Sequence, residues 1–482
     1  MELQTVIGLE VHAQLLTESK MYCGCAASYA DAEPNTHVCP VCLGLPGALP
    51  VINRAAIDAC IRTGLALGSE ISPFSKLDRK NYGYPDLPKG YQISQYDLPL
   101  CVGGHLGFAS EGEEVHAGIT RVHIEEDTGR LVHHVDERGR DVSLVDLNRS
   151  GVPLMEIVGE PDLRSPIQAR EYLMALRQIL RYAGVSSGNM EEGAFRCDAN
   201  ISVRATDGSF AGPKVEIKNM NSFRSVEQAL RYEEVRQRAA IESGETLVQE
   251  TRGWAEPKGI TVSQRTKEQA HDYRYFPEPD LPPMAYADDS VEGLRSSLPE
   301  LPRARYARFV KHLGLPDSDA AVLTGDASLA DYFEAVDDGS GSIEPKVAAN
   351  WVLNDVLAAQ RSGRRAVDGM PVTPAQLRAL ILAVEEKRLS ARAGRELLPQ
   401  IEPDEEPLAA AERLGLLSLD DGDLIRSAVL AAMETQPAAV ADYRRGKTAA
   451  IGRLIGETIR QTGGRARPEQ VRAVLLRELE QP

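Results

Sequence analysis

The chain has 482 residues, 43% hydrophobic, 26% charged and 5% aromatic, with 54 Lys and Arg against 71 Asp and Glu for a formal net charge of −17. That length leaves room for roughly two to four domains with real cores, and excludes disorder and collagen-like repetition. No apolar run approaches the roughly 18 residues of a membrane span, and Met1-Glu2-Leu3-Gln4 lacks a signal peptide's basic-then-apolar start, so a soluble, cytoplasmic protein is expected.

Alternation over residues 5–15 predicts a strand with Ile7, Leu9 and Val11 on one face and Glu10, His12 and Gln14 on the other. Cys23-Gly24-Cys25 and Cys39-Pro40-Val41-Cys42 then form a C-x-C-x13-C-x2-C pattern. Two close thiolate pairs suit a tetrahedral zinc ion whose four protein ligands would make it structural. The other reading is four buried or redox-active thiols, and His37 could compete as a ligand. An odd total of seven cysteines does not fit a secreted disulfide framework, and Cys60, Cys101 and Cys197 read as core residues.

Residues 78–95 pack Lys80, Lys89 and three tyrosines into a proline-stiffened segment, either a substrate-path wall or a structural corner. Alternation returns at 119–125, with Arg121, His123 and Glu125 opposite Val122 and Ile124, and at 143–148. Ser165, Pro166 and Gln168 predict a capping box for a helix that Gly184 stops. Strands at 197–204 and 214–218 put Asp198, Asn200 and Ser202 on one face, and Lys214, Glu216 and Lys218 likewise. Ser225 and Gln228 open a second helix, running to about Gly244. A second Tyr-rich segment, 271–280 from His271 to Asp280, overlaps a proline-rich stretch, 275–283, that reads as a boundary or a wall loop. Beyond it the pattern is helical, including 345–361, 373–387 and 446–462, with a break at 399–407 dividing two helical modules.

Carboxylates, His and Asn repeated along strand faces suit Mg²⁺ and phosphate oxygens, although a solvated sheet face is the plainer alternative. No P-loop and no dinucleotide fingerprint is present, so a bound nucleotide would sit on a sheet through metals. In the acidic chain one stretch is basic: residues 443–472 hold eight Lys and Arg against Glu457 and Glu469.

Gly8-Leu9-Glu10-Val11-His12, the 39–44 knuckle, residues 78–95, Glu125-Glu126-Asp127, residues 145–149, Met190-Glu191-Glu192-Gly193, residues 196–202 and residues 272–280 closely resemble the B-subunit family of aspartyl/glutamyl-tRNA amidotransferases. The likeness covers almost the whole chain. It implies an α+β fold: a glutamine-synthetase-like antiparallel-sheet cradle with the zinc knuckle at 1–292, an all-α helical domain at 293–405 and a YqeY-like helical tail at 406–482. It also implies ATP-dependent phosphorylation of the side-chain carboxylate of misacylated Glu-tRNA(Gln) or Asp-tRNA(Asn), then amidation by ammonia. The implied partners are the glutaminase and the small third subunit of a heterotrimer, the misacylated tRNA and the misacylating aminoacyl-tRNA synthetase, with no membrane.

By the same resemblance Glu10, His12 and Glu125 match positions around Mg²⁺ and ATP, and Lys80, Lys89 and Glu125 lie near the ammonia route. Asp198, Asn200, Glu216 and Lys218 join the catalytic candidates by strand parity. Arg444, Arg445, Lys447, Arg453, Arg465 and Arg467 become candidates for gripping tRNA by shape and backbone. The competing reading is a zinc-stiffened tRNA-binding scaffold with all catalysis in a partner.

Overall fold

The computed structural model describes residues 2–266, 272–361, 370–418 and 422–480. Two compact units divide the chain, Met1–Pro302 and Arg303–Pro482. The first is mixed α and β. Its elements in order are β1 Leu3–Gln14, α1 Arg54–Ala66, β2 Glu70–Ile71, β3 Phe74–Ser75, β4 Asp78–Asn81, β5 Tyr91–Ser94, β6 Cys101–Val102, β7 His105–Ser110, β8 Glu113–Glu126, β9 Arg130–Val135 and β10 Asp141–Asp146. They continue with β11 Pro153–Gly159, α2 Pro166–Tyr182, β12 Phe195–Ala205, β13 Val215–Lys218, α3 Phe223–Ser243, β14 Glu250–Ala255, β15 Ile260–Thr266, β16 Phe276–Pro277, β17 Met284–Ala285 and α4 Asp288–Ser296.

Ten strands make one sheet in the order β15-β14-β13-β12-β1-β11-β8-β6-β2, with β7 added on β8. Pairing is antiparallel except between β13 and β14. The period of two sorts its central strands cleanly. Ile7, Leu9 and Val11 of β1, Met155 and Ile157 of β11, Val122 and Ile124 of β8, and Ala199 and Ile201 of β12 share one core with Leu173, Leu176 and Leu180 of α2 and Val226 and Leu230 of α3. The alternate residues of the same strands face the other way, and they carry the charges.

Helix α2 begins where its sequence signals place it, with Ser165 Oγ accepting from the Gln168 amide at 3.1 Å. The reciprocal bond differs from a capping box, because Gln168 Oε1 accepts from the Arg164 amide at 2.7 Å rather than from Ser165. Helix α3 starts a turn earlier than expected: Ser222 is its cap, accepting from the Ser225 amide at 3.0 Å, so Ser225 lies inside the first turn. Gly244, at φ 73°, ends it. A small separate sheet in the order β16-β4-β5 incorporates the proline-rich stretch as an edge strand, so that segment is a wall within the first unit.

The second unit is helical in its described residues, from Pro302–Lys311 to Pro468–Glu480. Residues 345–361 form one continuous helical run with a wider π-helical turn at Trp351–Val356. Two apolar clusters serve this unit. One gathers Phe309, Phe333, Trp351, Leu377 and Leu397, and takes in Ala410 and Ala411 of helix Pro407–Arg413 beyond the proline break. The other holds Ile425, Val429, Leu454, Val471, Leu475 and Leu479.

Candidate functional site

The charged face of the large sheet is built by register. His12 of β1 stands opposite Glu156 of β11 and Arg196 of β12, and Glu156 stands opposite His123 of β8. His123 Nε2 lies 3.5 Å from Glu125 Oε1 and 3.4 Å from Glu156 Oε2, while His12 Nε2 lies 3.5 Å from the same Glu156 oxygen. One ligand atom from each of His12, Glu125 and Glu156 falls within 4.8 Å of the others.

Glu125 is 2% exposed, yet it is held ionised. Burial alone would raise its pKa, but Lys80, with Nζ 3.6 Å away, and His123 draw it down to about 2. Ser94 Oγ and Gln92 Nε2 of β5 complete its hydrogen bonds at 2.7 and 3.1 Å. Burial works against the charge on His123 too, and Glu156 with Glu125 overcomes it, lifting the imidazole pKa to about 9. Glu156 is held well below the carboxylate range by His123 and His12 despite its burial.

Glu10 sits one pair further along β1, opposite Asp198. It accepts from Asn200 Nδ2 at 3.0 Å, and burial, followed by the field of Glu156, raises its pKa. Asn200 Oδ1 is buried with no hydrogen-bond partner among the described residues. Lys218 Nζ pairs with Asp198 and lies 3.2 Å from Glu216, which also accepts from Thr251 Oγ1 at 2.7 Å. Asp198, Asn200, Glu216 and Lys218 therefore form a second charged belt on the face that carries Glu10.

Lys80 and Lys89 meet different carboxylates. Lys80 reaches Glu125, whereas Lys89 pairs with the neighbouring Glu126, whose Oε1 also accepts from the Ile93 amide at 2.9 Å. Behind Lys89 lies a cavity of about 240 Å³, lined in part by Tyr22, Cys23, Cys42, Gly44 and Glu126. The cysteine loop thus reaches the Lys89–Glu126 pair.

In that loop the sulfurs of Cys23, Cys25, Cys39 and Cys42 all lie within 4.8 Å of one another, and every cysteine is unbridged. Cys42 Sγ is 3.8 Å from Cys39 Sγ. Hydrogen bonding from Cys23 pulls the Cys42 thiol down to about 4, with the Cys39 amide helping. His37 stands outside the group, its Nδ1 2.8 Å from the Ser28 carbonyl. Cys60, Cys101 and Cys197 are buried in the core.

Of the tail residues, Arg444, Arg445, Lys447 and Arg453 are exposed, and Arg465 and Arg467 are half-buried. Asp442 faces two of them, 2.7 Å from Arg445 and 3.4 Å from Lys447. His271 lies outside the described residues. Sequence reasoning missed Glu156 and the partnering of Glu126. The available signal was Pro153-Leu154-Met155-Glu156-Ile157-Val158-Gly159, one carboxylate inside an otherwise apolar run.

Residues 5–292 match the model of the GatB/GatE catalytic domain, and residues 331–479 match that of the GatB domain. Three relatives are each described as the B subunit of an aspartyl/glutamyl-tRNA(Asn/Gln) amidotransferase. That of Thermomicrobium roseum is 57% identical with 100% of both chains covered, and that of Dehalococcoides mccartyi strain CBDB1 is 49% identical over 99% of each. The relative from Caldanaerobacter subterraneus subsp. tengcongensis is 46% identical over 99% of this chain and 100% of its own.

Proposed function

The chain belongs to the GatB/GatE family, and from that premise we propose how its charged sheet face serves the family's reaction. It acts as the B subunit of a glutamine-hydrolysing tRNA amidotransferase, beside a glutaminase and a small third subunit. The side-chain carboxylate of Glu or Asp misacylated onto tRNA takes the γ-phosphoryl group of ATP, releasing ADP. Ammonia set free from glutamine by the glutaminase then displaces phosphate to leave the amide.

The observation that carries the site assignment is the convergence of His12, Glu125 and Glu156 on one face, with Lys80 against Glu125. Two carboxylates and an imidazole are a donor set that fits a divalent cation, and the orphaned Asn200 Oδ1 adds a buried acceptor on the same face. Magnesium bound there would offset the charge of the two anions that must meet and align them. The protein groups supply the rest. His123 spaces Glu125 and Glu156, Lys80 keeps Glu125 ionised, and the belt of Glu10, Asp198, Asn200, Glu216 and Lys218 orients substrate on the cradle floor. The pairs Lys80–Glu125 and Lys89–Glu126 supply polar stations for ammonia while restricting water at a hydrolysable acyl phosphate.

The cysteine loop fits zinc. Tetrahedral Zn–S bonds of about 2.3 Å require sulfurs roughly 3.8 Å apart, the separation seen between Cys39 and Cys42. Its role is to brace the loop against Lys89. We read the first unit as the glutamine-synthetase-like cradle (1–292), followed by the helical domain (293–405) and the YqeY-like tail (406–482). The two apolar clusters of the second unit favour moving the last boundary past Ala411. The tail's basic residues, Arg444, Arg445, Lys447, Arg453, Arg465 and Arg467, hold tRNA. The place of work is the cytoplasm, and among the described residues no helix is long and apolar enough to cross a membrane.

The test is reconstitution of the heterotrimer, offering each misacylated tRNA with glutamine and ATP. Glu125→Ala is expected to abolish amide formation while the complex still assembles. Normal amidation by that variant would overturn the site assignment and favour a scaffold role.

A further inference from the structure

The two Tyr-rich segments meet on one face of the β16-β4-β5 sheet. The registers Asp78–Ser94 and Lys80–Gln92 put Lys80 on the side whose Gln92 and Ser94 bind Glu125, and Tyr273, which precedes β16, packs its ring against that lysine. Four rings follow one another in contact along that wall. Tyr82 and Tyr273 meet edge-on at 5.8 Å, Tyr273 and Tyr275 edge-on at 6.1 Å, and Tyr275 and Tyr96 lie nearly parallel, 10° apart at 4.4 Å. At the inner end Lys80 Nζ stands 5.1 Å from the Tyr273 centroid and 3.6 Å from Glu125. At the outer end Tyr96 is 61% exposed.

A tyrosine serving only as a structural corner would bury its ring. Tyr96 instead lays one face on Tyr275 and leaves most of its surface to solvent, at the outer end of a row of ring contacts that passes Lys80. Base-on-aromatic stacking needs a flat, accessible ring of this kind, and a cation deeper in the site suits a phosphorylated ligand.

We propose that the Tyr96–Tyr275 pair is a stacking ledge for an adenine base, which the open face of Tyr96 extends as the next ring. The inference rests on the amidotransferase reading, whose substrates bring adenine from two sources, ATP and the 3′-terminal adenosine of tRNA. Steady-state kinetics of Tyr96→Ala and Tyr96→Phe, each assembled into the full heterotrimer, test it and separate the sources.

Tyr96→Ala should raise KM for one of the two substrates on the order of tenfold, and Tyr96→Phe should restore it because the ring, not the hydroxyl, does the stacking. A rise for ATP alone assigns the ledge to the nucleotide, and a rise for tRNA alone assigns it to the terminal adenosine. Unchanged KM for both, a rise in both, or a Phe variant as impaired as Ala overturns the ledge. Melting temperatures check that the exposed ring's loss leaves the fold intact. Failure of the unaltered complex to form amide would instead overturn the underlying reading.

Discussion

Charge does opposite things on the sheet face of the first unit and along the last helices of the second. Glu125 is buried and touched by Lys80, His123, Ser94 and Gln92, so its ionisation is set by named neighbours. Arg444, Arg445, Lys447 and Arg453 are exposed, and their ion pairs with Asp442, where they have them, are worth little in water. A buried network acts through geometry, and losing one member leaves the others uncompensated. An exposed set acts through its summed charge, and each member is nearly replaceable.

The sharpest break in that contrast is Glu156→Gln. It keeps the shape but removes the charge that holds His12 and His123, and it should lower ATP-dependent amidation at least on the order of 100-fold. Glutamine hydrolysis in the same complex is the control. Amidation within a few-fold of normal would show that the converging cluster does not act as a unit.

Next in size is the coupling of the cysteine loop to the site. Gly44 has φ +66°, and a Cβ there would come within 2.4 Å of Lys89 Cγ; Gly47, at φ +85°, has open space around it. Gly44→Ala and Gly47→Ala each incur a backbone cost on the order of 1–3 kcal/mol. Only Gly44→Ala displaces Lys89 from Glu126, so it alone should lower amidation several-fold beyond what lost stability explains. Equal activities of the two variants at matched folded fraction would uncouple the loop from the site. If zinc fills the loop as proposed, removing it with a strong chelator should lower the melting temperature, and Cys39→Ser should do the same without chelator.

The contrast also explains what could be read in advance. Alternation in β1, β8 and β12 revealed both faces of the sheet, because period two fixes which residues point together. Glu10 and His12 were therefore visible on one strand face and Glu125 on the polar face of another, and only the family resemblance implied that the three belong together. Glu156 was not, since Leu154 and Val158 on its own parity are apolar and hide the alternation. The pairing of Lys89 with Glu126 rather than Glu125 depends on where β5 docks beside β8, a tertiary fact with no local signature. In α3 the start read at Ser225 and Gln228 lies one turn inside the helix, because the fold caps it with Ser222. The tail's basic character was plain in composition, but its partial neutralisation by Asp442 follows from how the chain turns after Asp442 to bring Arg445 and Lys447 against it.

That neutralisation yields the smallest effect and the one of opposite sign. If the tail holds tRNA by summed charge, Arg453→Ala should weaken binding a few-fold and reduce the salt dependence by roughly one charge. Asp442→Asn should strengthen it. The substitution removes one negative charge lying 2.7 Å from Arg445 and 3.4 Å from Lys447 and frees both cations for phosphate. A gain of about twofold to fivefold at low salt, shrinking as salt rises, is the expected signature in equilibrium binding to the assembled complex. An unchanged affinity at low salt for both variants would separate this face from tRNA, because an exposed charge that neither attracts nor repels the polyanion is not within a Debye length of it.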